Sequence, residues 1–358
     1  MSEFAGKTVE IDFTEQPIID LKDRKIISVL GTNCRLSATH IGKVVGLSKE
    51  VVYYRVKNLE KKKIIRENIA VLNPSKLGFH MFIVYVQTQN LSEQKEEQLI
   101  NMLIKNPATH YVLHALGKFD IVFDVLAQSI QEFDLILRKI LNEFGIYVKH
   151  YEVSPIIDVL KYVHLPESFS KELHSKPAHN RNDSTFIKYF QNTKIDYSAS
   201  QANMDKKDLQ ILYILSSNAT IQLKYLGDKI GLSPDSIKYR IKKLIERNII
   251  LGFLPVINLS LLVYHNYGIL IELNNISFEE KNKLFRHLSI HPDVSFCLKT
   301  GAQYEITLNI SVRSNLHLHN FINELKQNYS NQIKTLEMFL IIKDYKIAFF
   351  PKAYENKK

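Results

Sequence analysis

The sequence predicts an α+β chain built twice over, in which two winged helix-turn-helix blocks are each followed by a β-α-β-β-α-β unit. Three observations predict it. The block Asp20 to Leu72 reappears 185 positions later as Asp205 to Ile257 without a gap, and self-similarity at so long a fixed period marks duplicated domains rather than a solenoid. Inside each block apolar residues recur at helical spacing three times in succession. Beyond each block, β-branched and aromatic runs alternate with amphipathic helical stretches.

In the first block, Ile26, Ile27 and Leu30 share one helical face; Ile41, Val44 and Val45 share a second; Val52, Val56 and Leu59 share a third. Gly46-Leu47-Ser48 separates the second helix from the third. Glycine suits a helix end that needs positive φ, and Ser48 can cap the next helix through its hydroxyl. The second block carries the same punctuation, Gly231-Leu232-Ser233, with Pro234 at the first helical position, where a missing N–H costs nothing. After the third helix, Ile64-Ile65, a polar turn at Glu67-Asn68 and Ile69 to Leu72 read as a small β-wing.

The run from Phe79 to Thr88 reads as a strand, and Ser92 to Lys105 as an amphipathic helix through Leu99, Met102 and Leu103. His110 to Leu116 and Ile121 to Leu126 are strands hinged at Gly117-Lys118-Phe119-Asp120. A helix follows over Ile130 to Phe144, closed by Gly145, and then strands over Tyr147 to Val153 and Ile156 to Val163. The first four strands and two helices give the ferredoxin-like split order. The second half repeats it with Tyr267 to Leu273, Phe278 to Leu288, Val294 to Thr300, Glu305 to Ser311, Asn315 to Tyr329 and Ile333 to Ile342. The expected organisation is an extension at 1–19, winged-helix units at 20–72 and 205–258, βαββαβ units at 73–165 and 259–351, a polar linker at 166–204 and a tail at 352–358. A flexible linker of ~38 residues spans roughly 30–40 Å, enough to bring the halves together.

The third helices point to chemistry. With Val52, Val56 and Leu59 turned inward, the other face presents Ser48, Lys49, Glu50, Tyr53, Tyr54, Arg55, Lys57 and Lys61. In the second copy that face presents Ser233, Asp235, Lys238, Tyr239, Arg240 and Lys242. A helix fits the major groove of double-stranded DNA, with side chains reaching base edges and flanking cations reaching phosphates. Charge placement favours this over an ordinary solvated face. Residues 20–72 hold 12 Lys and Arg against 5 Asp and Glu, residues 205–258 hold 9 against 5, and residues 73–165 hold 8 against 10. The whole formal charge of +10 is thus concentrated on the two helical blocks.

A winged helix-turn-helix joined to a βαββαβ unit resembles the leucine-responsive regulatory protein (Lrp/AsnC) family of transcription regulators. The residues that carry the resemblance are Asp20-Leu21-Lys22-Asp23-Arg24-Lys25-Ile26-Ile27, Val45-Gly46-Leu47-Ser48, Tyr54-Arg55-Val56-Lys57-Asn58-Leu59-Glu60 and Gly117-Lys118-Phe119-Asp120. The resemblance implies DNA binding, pairing of βαββαβ domains through their sheets, and control by a small effector such as an amino acid, held near Gly117, Phe119 and Asp120. Two copies in one chain imply an intramolecular pseudo-dimer, with higher homo-oligomers still open. The second copy reads Gly301-Ala302-Gln303-Tyr304-Glu305, as if one residue longer and with Glu in place of Asp.

Two other readings share this build. One is an enzyme resembling the sirohaem decarboxylases, whose strand motif includes a tryptophan that this Trp-free chain lacks. The other is an effector-independent, chromatin-organising DNA-binding protein. No catalytic residue, cofactor or metal is expected: Cys34 and Cys297 are non-equivalent and form no Cys-x-x-Cys, and His317 and His319 diverge along one helix. His80 and His265 are equivalent and read as strand-edge residues. The N-terminus lacks the pattern of an export signal, and no stretch approaches the ~20 apolar residues of a membrane span, so a cytoplasmic location is expected.

Overall fold

A computed structural model describes residues 18–171, 173, 202–347 and 350. Most of the expected extension, the polar linker with Phe186, Ile187, Tyr189 and Phe190, and the tail lie outside the described residues.

The first helix-turn-helix comprises α1 (Leu21–Leu30), α2 (Ala38–Val45) and α3 (Lys49–Lys61). Asp20 and Asp23 form a reciprocal capping box at the start of α1. The turn forms because Gly46 takes φ +69° and its N–H reaches the Gly42 carbonyl, while Ser48 Oγ accepts from the Val51 N–H at 3.3 Å. Gly42 is required by contact: a Cβ there would lie 2.5 Å from the Leu47 carbonyl oxygen. The core face of α2 is carried by Ile41 and Val45, one turn apart, whereas Val44 is 44% exposed and not the core residue that periodicity implies. The second copy repeats this with α7 (Lys206–Ser217), α8 (Leu223–Ile230) and α9 (Pro234–Glu246).

No wing hairpin follows. Strand β1 (Ile65–Leu72) runs straight through Glu67 and Asn68 and pairs antiparallel with β6 (Ile250–Ile257) of the other half. Pairing across the halves gives both strands a full-length ladder, which two short arms folded on each other would lack. The cores are exchanged as well. Ala70 and Leu72 pack with Ile211, Leu215 and Ile237 of the second helix-turn-helix, while Ile257 and Leu259 pack with Ile26, Val52 and Leu59 of the first. The Ala219 N–H donates to the Asn68 carbonyl at 2.7 Å, and the Asn258 N–H to Ile64 at 2.8 Å. The start of the expected linker is structured: Phe169, on the short helix α6 (Glu167–Lys171), is fully buried in the first helical core.

The remaining strands are β2 (His80–Thr88), β3 (Thr109–Gly117), β4 (Ile121–Ala127) and β5 (Val148–Tyr162) in the first half. The second half supplies β7 (His265–Leu273), β8 (Val294–Thr300), β9 (Ile306–Val312) and β10 (Ile333–Ile347). They close into one barrel, β10-β3-β4-β2-β5-β8-β9-β7, rather than two separate sheets. The closure comes from β5 and β10, 15 residues each, which pair first with a strand of their own half and then with one of the other. Sequence reading split β5 at Pro155, yet it is one strand, and Pro155 marks the change of partner: Phe82 pairs Pro155 and Thr300 pairs Ile156. A residue without an N–H fits where one ladder ends and another begins.

Helices α4 (Glu93–Lys105), α5 (Ile130–Phe144), α10 (Phe278–Ile290) and α11 (Asn315–Tyr329) cover the outside, over Val84 and Phe123 in one half and Ile269 and Leu308 in the other. The barrel interior holds Ile83, Tyr85, Phe119, Tyr304 and Phe339. The second hinge turn is no longer than the first: Asp120 and Glu305 each precede an equivalent strand, and their N–H groups reach the equivalent carbonyls of Val86 and Ile271. The apparent extra residue comes from matching Gly301 to Gly117, where Ala302 (φ +67°) is the true counterpart.

Candidate nucleic-acid interface and interior cavity

The outer faces of α3 and α9 are open. Tyr53 is 62% exposed, Tyr54 71% and Tyr239 62%, and Lys49, Glu50, Lys57, Lys61, Asp235, Lys238 and Lys242 are exposed with them. Lys57 pairs with Glu60 at 2.6 Å, which raises its pKa, so its ammonium is held along the helix rather than projecting freely. Lys242 lies 3.8 Å from Glu246 and is looser. Ser48 and Ser233 serve as N-caps, leaving their hydroxyls engaged with the Val51 and Ser236 N–H groups.

Arg55 and Arg240 have another job. Arg55 Nη1 lies 2.8 Å from both Asp20 and Asp23, and Arg240 Nη1 lies 2.7 Å from both Asp205 and Asp208. Each guanidinium ties the third helix to the cap of the first, and the hydrogen bond that Arg55 donates to Asp23 above all raises the Arg55 pKa. The equivalent pair in both copies gives these arginines a role within the fold, on side chains that remain 26% and 28% exposed.

The hinge turn is equally engaged. Phe119 is fully buried, and a Cβ on Gly117 would meet the Met338 carbonyl at 2.9 Å. The Asp120 carboxylate accepts from the Thr88 N–H and hydroxyl at 2.6 and 2.9 Å. Glu305 does the same for the equivalent Leu273 N–H at 2.7 Å and also receives Lys281. Lys118 hydrogen-bonds Tyr304 and lies near Glu152 and Glu337, so the turn is a cross-half fastening. His80 and His265 are exposed at the starts of their strands.

An open volume lies elsewhere. A cavity of about 200 Å³ sits within the barrel, beneath the β1–β6 sheet, and both halves line it. Its ionisable lining comprises Arg66, His110, Asp124, His164 and Asp344. Tyr111 donates to Asp344, and Tyr162 hydroxyl lies 3.1 Å from His164 Nε2. Burial raises the Asp344 carboxyl, while burial and then Arg66 push His164 down to about 4, so its ring is neutral at physiological pH. Sequence reading missed these residues. The available signal was a charged residue inside otherwise apolar strands, as with Asp124 in Ile121 to Ala127. Among the described residues no group of three or more His, Cys, Asp or Glu could hold a metal, and no helix is long and apolar enough to cross a membrane.

Comparison with known proteins agrees with the helical blocks. Residues 19–60 match the AsnC-type helix-turn-helix domain, and residues 204–250 match a winged helix-turn-helix DNA-binding domain. The proline dehydrogenase transcriptional activator of Rhodobacter capsulatus is 31% identical over 128 residues, 35% of this chain and 80% of that protein. An uncharacterised helix-turn-helix transcriptional regulator of Pyrococcus horikoshii is 30% identical over 145 residues, 40% of this chain and 89% of its own length. Among solved structures, the siroheme decarboxylase NirDL superposes with a TM-score of 0.59 over 93% of this chain and 96% of that one, at 12% identity. That likeness is one of fold.

Proposed function

Because the chain belongs to the Lrp/AsnC family of DNA-binding transcription regulators, we propose that it reads one DNA site with two recognition helices, α3 and α9, held in a single molecule. The observation that carries this reading is the pair of open helix faces. In a chain that buries Tyr85 and Tyr304 completely, Tyr53, Tyr54 and Tyr239 stand out to solvent among lysines. Aromatic and cationic side chains on a helix that projects from its core suit base edges and phosphates.

The two faces differ. Lys238 stands at the position equivalent to Tyr53, Lys243 at that of Asn58, and Glu246 at that of Lys61. The bound sequence is therefore an imperfect palindrome, with half-sites on one side of the duplex separated by one or more helical turns of ~34 Å. Selection of binding sequences from a random pool by the full chain, followed by footprinting, tests this. Enrichment of a two-part asymmetric site is expected. Binding with no sequence preference beyond salt-dependent phosphate attraction would instead support the chromatin-organising reading.

A further inference from the structure

We propose that the barrel cavity binds one small organic ammonium ion per chain, its apolar body inside the barrel and its charged end against Asp124 and Asp344. This goes beyond the DNA-reading function and does not depend on it.

Size is the first argument. A 150 Å³ apolar cavity accommodates benzene, and this one is about 200 Å³, room for an aromatic ring with a short amine arm. Most of its wall is apolar, with Ile83, Leu113, Leu298 and Ile341 contributing from both halves.

Charge is the second. The Asp124 side chain is 14% exposed and lies 3.8 Å from His110 Nδ1, too far for a hydrogen bond. Asp344 receives the Tyr111 hydroxyl and lies in the field of Arg66. The lining thus sets two carboxyl groups, Asp124 and Asp344, beside one guanidinium, with His110 next to Asp124. An anion entering here would face both aspartates, whereas an ammonium would find acceptor oxygens on both. Tyr85, Tyr111 and Tyr162 border the same space.

The third argument is the pattern of divergence between the copies. At positions 185 apart, Asp124 matches Asn309, Asp344 matches Val159, His110 matches Ser295 and Arg66 matches Leu251. The ionisable groups are lost from one copy of each pair, so the cavity has a polar side and no internal symmetry. Such a site takes one ligand in one orientation. At the other end of the barrel Asp120 and Glu305 keep the same structural job, so the divergence there left the chemistry unchanged.

The test is calorimetry and thermal melting on the full chain with phenethylamine as probe, beside 3-phenylpropionate and L-phenylalanine. Phenethylamine should bind with one site per chain, and the two carboxylate-bearing comparators should bind at least about tenfold more weakly. Asp124→Asn installs the amide that the duplicate already carries at Asn309, and it should weaken phenethylamine about tenfold, the scale of one lost charge-assisted hydrogen bond. Asn309→Asp, which leaves Asp124 in place, should strengthen it severalfold and keeps the test valid if Asp124→Asn fails to fold. No binding at about 10 mM phenethylamine, equal binding by 3-phenylpropionate or L-phenylalanine, or affinity indifferent to both substitutions would each overturn the proposal. Because no DNA is present, failure here is distinct from failure of DNA recognition.

Discussion

Replacing Arg55 by Ala separates a fold-holding arginine from a DNA-contacting one. The guanidinium lies 2.8 Å from Asp20 and Asp23, its side chain 26% exposed against 52% and 12% for the two carboxylates. The Asp20 arm is a surface pair worth about 0.2–1 kcal/mol, while the more buried Asp23 arm is a charge-assisted bond of about 1 kcal/mol after solvent screening. Their loss should cost about 1–2 kcal/mol, a fall in Tm of roughly 1–3 °C for a chain of this size. The loss should depend on pH. The Asp23 N–H and Arg55 hold the Asp20 carboxyl below its ordinary value. At Asp205 burial pulls upward, but the Asp208 N–H and Arg240 outweigh it and the carboxyl is lowered too. A lowered carboxylate contributes stability above its unfolded pKa of about 3.9 and loses it as pH falls through the folded value. The gap between wild type and R55A should therefore be full at pH 7 and close below about pH 4. Thermal melting across pH, paired with DNA affinity against salt well below Tm, measures both. An unchanged Tm with a salt slope reduced by about one unit would put Arg55 on a phosphate and refute the assignment.

Lys242→Ala and Tyr239→Ala should weaken DNA binding without lowering Tm, and Lys242→Ala should flatten the salt slope by up to about one unit; unchanged affinity in both would remove α9 from the interface. Gly42→Ala or Gly227→Ala should lower Tm well beyond the ~1 kcal/mol scale of a surface change, because the new Cβ would meet a carbonyl oxygen at 2.5 or 2.4 Å. Residues 1–173 expressed alone should self-associate, since β1 and the end of β5 lose their partners; a well-folded monomer by light scattering would contradict the exchanged core. Cys34 and Cys297 are buried, and burial pushes both thiols up to about 12, so native protein should resist alkylation that denatured protein undergoes at once.

What was legible in the sequence was local. The helix-turn-helix could be read because its signals lie within a few residues of each other: apolar spacing, a left-handed Gly46, a capping Ser48. The partner of β1 was not legible, since a strand carries no address. The absence of Gly or Pro at Glu67-Asn68 was the clue that Ile65 to Leu72 does not turn. Pro155 was read as an end because proline lacks a ladder N–H, and the alternative, a strand that changes partner there, requires knowing that β8 waits on the other side. The tie from Arg55 to α1 was not legible because a helical wheel assigns faces and not the reach of a long side chain. The cavity residues were scattered from Arg66 to Asp344, and only barrel closure brings them together.

The exchanged strands also join the two ends of the molecule. Helix α3 ends at Lys61 and β1 begins at Ile65; α9 ends at Glu246 and β6 begins at Ile250. The recognition helices are therefore mounted on one two-stranded sheet, and Val71, Leu72, Leu251, Val256 and Ile257 of that sheet form the roof of the cavity. The sheet carries register shifts between Ile65 and Glu67 and between Val71 and Leu72, close to the first helix-turn-helix and to the cavity respectively. An occupant that packs better under one arrangement of β1 and β6 favours one placement of α3 relative to α9. By linkage, DNA that favours the same placement must then tighten the occupant by the same factor.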